Sequence, residues 1–99
     1  MSEINYGPAA LADLEDIWSY TVQRWGRKQA RDYAKMLDDR CRAVLDGTVI
    51  PQKADYVRRG YWRLRAGSHY VFIKRREAAI DVVRIVHARM NILKQFADE

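Results

Sequence analysis

The chain has 99 residues, 48% hydrophobic and 31% charged, with a net charge of +5. That length sets a single domain over residues 1–99, and the composition is that of a globular chain, not a disordered one. One cysteine, Cys41, excludes an internal disulfide framework, and no Cys/His cluster has zinc-site spacing, so neither a metal nor a cofactor is expected.

A lone thiol suits a reducing compartment. No apolar run approaches the ~18 residues that span a bilayer. The first residues lack a basic stretch followed by an apolar one, so no secretion signal is read. A cytoplasmic protein with no membrane partner is expected.

Ser2 to Tyr6 is short and ambiguous, with an edge strand as one reading. Gly7-Pro8 then sets a helix start, because proline at the first helical position gives up an N–H that has no partner there. Leu11, Leu14, Ile17/Trp18, Thr21/Val22 and Trp25 follow at helical spacing with one apolar stripe. Asp13, Glu15 and Asp16 lie in the N-terminal half, where the helix dipole favours the earliest acid. Gly26 stops this helix. A second helix runs from about Arg27 to Asp46, with Ala30, Tyr33/Ala34, Leu37, Cys41 and Val44/Leu45 inward, and Gly47 ends it. So short a connection predicts an antiparallel helical hairpin. Cys41 is expected to be a small apolar residue on the inner face.

Thr48 to Val57, with Pro51, reads as a loop. Tyr61 to Arg65 alternates, with Tyr61, Arg63 and Arg65 on one side and Trp62 and Leu64 on the other. Ala66-Gly67-Ser68 is a tight turn into an antiparallel strand, His69 to Arg75. Glu77-Ala78-Ala79 makes a weaker turn. Ile80 to His87 is β-branched and almost continuously apolar, as in a central strand covered on both faces or nearly so. Ala88 to Ala97 reads as a short terminal helix or docked tail, with Asp98 and Glu99 frayed. The sum is an α+β fold, a helical hairpin laid on one face of a small antiparallel meander.

Charge is unevenly placed. Between Lys53 and Arg76 eight Lys/Arg face one acid, Asp55, for a net +7, so the remainder of the chain is slightly acidic. A localised positive field attracts a polyanion or an acidic protein surface. Guanidinium groups grip phosphate and carboxylate through two points, and Tyr56, Tyr61, Trp62 and Tyr70 are interleaved among them. Trp18, Trp25, Tyr33 and Trp62 are a heavy aromatic load for a small domain. Most must be core, and one or two can anchor a partner segment. No nucleophile elbow, metalloprotease helix, P-loop or CxxC is present. His87, at the end of the last strand beside Arg89, is either a proton donor or phosphate contact in RNA cleavage, or a structural histidine. His69 is the more structural of the two.

Asp13-Leu14-Glu15-Asp16-Ile17-Trp18-Ser19-Tyr20-Thr21, Trp25-Gly26, Gly60-Tyr61-Trp62-Arg63-Leu64-Arg65-Ala66-Gly67-Ser68-His69 and Val83-Arg84-Ile85-Val86-His87-Ala88-Arg89-Met90 occur in that order. Together they resemble the ParE toxins of the ParE/RelE superfamily, over about Tyr6 to Leu93. The resemblance implies a helical hairpin on a small twisted antiparallel sheet. It also implies a bacterial type II toxin that inhibits DNA gyrase and leaves cleaved gyrase–DNA complexes. The partner it implies is a ParD-type antitoxin, whose disordered C-terminal half folds over the toxin and whose DNA-binding domain brings the pair to operator DNA. Thr48 to Asp55 lacks the family's Gly-Arg-Pro, the strand from His69 reads Phe72-Ile73 where Phe-Tyr is usual, and Met90-Asn91 stands for Met-Asp.

Carried over as gyrase or anion contacts from the matching motif are Arg84, His87, Arg89 and Met90. The charge pattern adds Arg58, Arg59, Arg63 and Arg65. Trp18, Trp25, Tyr33 and Trp62 are the candidates for antitoxin binding, and no catalytic residue is assigned. Two alternatives share the fold: a ribosome-dependent mRNA endonuclease drawing on Arg63, Arg65, Lys74, Arg84 and His87, and a non-toxic relative that only binds antitoxin.

Overall fold

A computed structural model describes residues 3–97, so the expectations for Ser2, Asp98 and Glu99 lie outside the described residues. β1 (Glu3–Tyr6) leads into α1 (Pro8–Trp25), which begins with Gly7 as N-cap and Pro8 in the first turn. Gly26 alone joins α1 to α2 (Arg27–Leu45), closing the first helix and opening the second. Its φ of 91° is a backbone state that a side chain disfavours, so glycine permits the one-residue reversal. β2 (Gln52–Lys53), β3 (Tyr61–Ala66), β4 (His69–Arg76), β5 (Ala79–His87) and α3 (Ile92–Gln95) follow.

The sheet runs β1-β5-β4-β3-β2. β3 to β5 form the expected antiparallel meander, β2 adds to it antiparallel beside β3, and β1 pairs parallel with the first half of β5, which makes the sheet mixed. Within the stretch read as a loop, Gln52 and Lys53 pair with Arg63 and Trp62. Two polar residues carry no alternation that a sequence reading can detect. The β4–β5 register slips between Phe72 and Ile73, leaving Val83 as the extra residue of a bulge.

The hairpin covers one face. Leu37, Cys41 and Val44 of α2 and Ala10 of α1 are buried against Leu64, Val71, Ile73, Ile80, Val82 and Ile85. Truncating such a side chain, Leu37 for example, costs about 2–5 kcal/mol. Burial pushes the Cys41 thiol up to about 12, so it is an inert packing group at neutral pH. The other face has a smaller core in which Phe96, just after α3, packs with Tyr61, Phe72 and Val86. β5 is therefore apolar on both sides because the hairpin covers one and the tail the other.

Candidate functional site

Two surfaces stand out, one on the hairpin and one on the sheet. α1 carries two apolar rows. Ala10, Leu14, Ile17 and Thr21 turn toward the core. Leu11, Trp18 and Trp25, seven residues apart in turn, remain 49%, 39% and 64% exposed. Positions seven apart nearly eclipse on a helix, so these three form one outer stripe. Beside it α1 and α2 leave a groove of about 510 Å³, lined by Leu11, Leu14, Ile17, Trp18, Ala34 and Leu37 with few polar groups. Surface of this kind is characteristic of a protein contact.

The second surface is basic. On β3, Trp62, Leu64 and Ala66 face the hairpin, while Tyr61, Arg63 and Arg65 face the other way. Tyr61 is buried beneath Phe96, while Arg63 is half-buried and Arg65 exposed. The Arg63 guanidinium sits 4.3 Å from the centre of the Tyr70 ring and 5.7 Å from that of Tyr56, and donates to the Tyr56 hydroxyl at 3.1 Å. Arg65 lies 5.4 Å from the Tyr70 ring. β2 is too short to pair with the far half of β3, and there Arg40 of α2 donates twice to the Arg65 carbonyl, at 3.0 and 3.2 Å. Arg58 and Arg59 are exposed in the turn that leads into β3.

The remaining candidates are dispersed. Arg84 is half-buried, bound to Asp13 of α1 and to the Gln95 carbonyl. His87, Arg89 and Met90 are exposed at the end of β5, where His87 Nδ1 accepts the Arg89 N–H at 3.1 Å. His87 pairs with His69, and Val86 with Tyr70, which in turn pairs with Arg65. Strand alternation therefore puts His87 on the hairpin face and Arg63 and Arg65 on the opposite one. Tyr33 is half-buried. Its hydroxyl accepts the Ser68 N–H at 2.9 Å and shares a hydrogen bond of 2.6 Å with His69 Nδ1. Burial first, then the neighbouring His87, lowers the His69 pKa to about 4. Trp62 is half-buried against the core, with Lys53 and Arg75 over its ring. Of the four aromatic candidates, only Trp18 lines the groove, and Trp25 extends its stripe.

A family model described as the ParE toxin of the type II toxin–antitoxin system, parDE, matches residues 4–92. Toxin ParE1 of Mycobacterium tuberculosis is 42% identical over 86 residues, covering 86% of this chain and 88% of that protein. Toxin ParE1 of Caulobacter vibrioides is 40% identical over 82 residues, covering 83% and 84%. The chain belongs to the ParE toxin family.

Solved structures agree on the fold. A chain of the chromosomal ParDE system from P. aeruginosa superposes with a TM-score of 0.71 at 15% identity, covering 88% of this chain and 96% of that one. A chain of the YoeB–YefM toxin–antitoxin heterotetramer from Staphylococcus aureus gives 0.58, also at 15% identity, covering 88% and 97%. A ParE sequence thus shares its architecture with toxins of another name, and the architecture does not set the activity. Sequence reasoning expected an apolar groove along the hairpin but placed Leu11 on the inner stripe, and the cue it passed over was the seven-residue spacing of Leu11, Trp18 and Trp25.

Proposed function

We propose that this ParE-family chain, acting as one domain in the cytoplasm, arrests growth by binding DNA gyrase and stabilising its cleaved DNA complex. A ligand that binds the cleaved state better than the resealed one shifts the population toward cleaved DNA, with no catalysis by the toxin. Family membership supports the target. A binding mode is supported by the way the groups that RNA cleavage would need are spread out. Arg63 and Arg65 lie on the face opposite His87, Arg84 is spent on Asp13, and Lys74 is five residues along β4 from His69, about 16 Å away.

A ParD-type antitoxin neutralises the toxin by laying an amphipathic segment along the hairpin and brings the pair to operator DNA. The observation that carries this is the row of exposed Leu11, Trp18 and Trp25 beside an apolar groove. Helix-in-groove recognition uses anchors of this type.

The decisive assay incubates supercoiled plasmid with purified gyrase, ATP and the toxin, then denatures the protein. Linear or nicked DNA, suppressed by antitoxin, is the expected result. Unchanged resealing at micromolar toxin, together with cutting of ribosome-bound messenger, would overturn the gyrase assignment.

A further inference from the structure

We propose that the outer face of β3 binds single-stranded nucleic acid through Arg63, Arg65, Tyr56 and Tyr70. Two guanidinium groups gather at Tyr70, Arg63 at 4.3 Å and Arg65 at 5.4 Å from its ring centre. Arg63 also bridges to the Tyr56 hydroxyl, and Arg65 Nε donates to the Gly67 carbonyl at 2.7 Å, so both guanidinium planes are fixed before any ligand arrives. Three other arginines of the fold are neutralised, Arg42 by Asp38, Arg76 by Asp81 and Arg84 by Asp13. Among the described residues no carboxylate pairs with Arg63 or Arg65. Two preorganised, unneutralised cations one strand repeat apart, about 6.6 Å, suit successive phosphodiesters.

The aromatic groups select the polyanion. An acidic peptide takes only the edges of the guanidinium groups and has no need of ring faces. A polynucleotide supplies phosphates for the cations and flat bases for the rings. Tyr56 is 54% exposed and offers a ring to a base. Bases paired within a duplex do not reach it, which favours a single strand. A cleft of about 390 Å³ at the β3 edge, lined by Arg40, Ile50, Gln52, Arg63, Arg65 and Tyr70, gives such a strand a path.

This deepens the gyrase reading, since an opened DNA strand is then part of what the toxin grips. An oligonucleotide assay contains no gyrase, so its failure is distinct from failure of gyrase poisoning. Fluorescence anisotropy of labelled dT20 and U20 with the full-length toxin is the test, with a 20-bp duplex and polyglutamate as comparators. Binding to a single strand tighter than to duplex or polyglutamate is expected, and the preferred sugar names the source of the strand. Arg63→Gln/Arg65→Gln should weaken it by about tenfold or more and flatten the salt slope by roughly 1.4, two phosphates' worth. Tyr56→Ala should weaken it about tenfold while leaving the slope unchanged. Lys28→Gln/Lys35→Gln, on the outer face of α2, removes the same charge and should leave affinity within about twofold. No binding, equal loss in the Lys28/Lys35 variant, or polyglutamate bound as tightly as dT20 would overturn the proposal. Arg65→Gln and Tyr56→Ala alter exposed side chains, so they remain decisive if the change at Arg63 disturbs β3.

Discussion

Asp13 and Arg84, 71 positions apart, meet in a two-point ion pair, Nε to Oδ2 at 2.8 Å and Nη2 to Oδ1 at 3.2 Å. The same carboxylate accepts the Ile85 N–H at 2.8 Å. β1 pairs with β5 only as far as Val82, and the bulge at Val83 follows at once. Asp13 thus takes over where the parallel strand stops, satisfying a strand edge from a helix. The two side chains are 15% and 18% exposed, so the pair is largely shielded from water. Removing one partner leaves the other charge poorly solvated and an N–H unpaired. Asp13→Ala should destabilise the fold by about 2–4 kcal/mol. Asp13→Leu/Arg84→Met should recover most of that, short of about 1 kcal/mol for the Ile85 N–H. Urea denaturation of the two variants measures both. An unshifted midpoint in Asp13→Ala would mean that the pair is ornamental. Loss of toxicity on changing Arg84 alone would then need a reading other than misfolding.

The hairpin groove gives a second prediction. Trp18 is the large aromatic that lines it, and Leu11 flanks it two helical turns away. Central aromatic anchors dominate interface energetics. Trp18→Ala should weaken antitoxin binding by about 2 kcal/mol, or roughly thirtyfold. Trp18 packs outward, so thermal stability of the free toxin should change little. Calorimetric titration with the cognate antitoxin is the measurement, and an unchanged affinity would move the antitoxin elsewhere.

Much of this architecture is legible in the sequence because local chemistry sets it. Pro8 and Gly26 bracket α1, and Gly67 forces the β3–β4 turn. Ile80 to Val86 is apolar enough to declare a strand with two covered faces. What escapes is non-local. Asp13 reads as an acid favoured by a helix dipole, and only the assembled fold reveals its partner at Arg84. The parallel pairing of β1 depends on an edge that β5 offers 76 residues later. The alternation of β5 fails at Val83, so the face of every residue beyond it is misassigned by counting in twos. That shift matters for the candidate site, because it decides which face His87 shares. Helical periodicity likewise shows that α1 is apolar, but not that its stripe is wide enough to leave Leu11, Trp18 and Trp25 uncovered.

His69 makes stability depend on pH. Its pKa is about 4, against an ordinary 6.5, because burial and the facing His87 disfavour the charged ring. Arg65 acts in the same direction and Asp13 against it. Between those values the unfolded chain holds a proton that the native one lacks. Stability from this group is therefore full above about 6.5 and lost as pH falls toward 4. Discounted for partial exposure, the loss is of order 1–2 kcal/mol. Urea midpoints measured at pH 7 and pH 4.5 should differ by less in His69→Gln than in the wild type. Equal differences would assign the dependence to other groups.

The same corner constrains Gly67. Its φ is 57°, and an added Cβ would lie 2.7 Å from the Tyr33 hydroxyl and 2.8 Å from Met36 Cε. Strain and collision act together, and Tyr33 cannot yield without giving up His69 and Ser68. Gly67→Ala should destabilise by about 2–4 kcal/mol, read as a fall in melting temperature. A Gly67→Ala protein as stable as the wild type would show that the turn is looser than its contacts.

Separation of the two surfaces makes a crossed prediction. The groove lies between the helices, and Arg63 and Arg65 lie on the far side of the sheet from them. Arg63→Glu/Arg65→Glu should lower growth arrest on induction by about tenfold or more in plating efficiency, because reversing the two proposed contact charges would turn attraction for a polyanion into repulsion. Antitoxin affinity should hold, since the hairpin is untouched. Trp18→Glu should do the opposite, arresting growth normally while escaping neutralisation. Circular dichroism of the purified variants separates either phenotype from unfolding. If the folded arginine variant arrests growth fully, toxicity does not pass through β3. If it also loses the antitoxin, the two partners share one surface, and neutralisation is direct occlusion instead of capture from the opposite side.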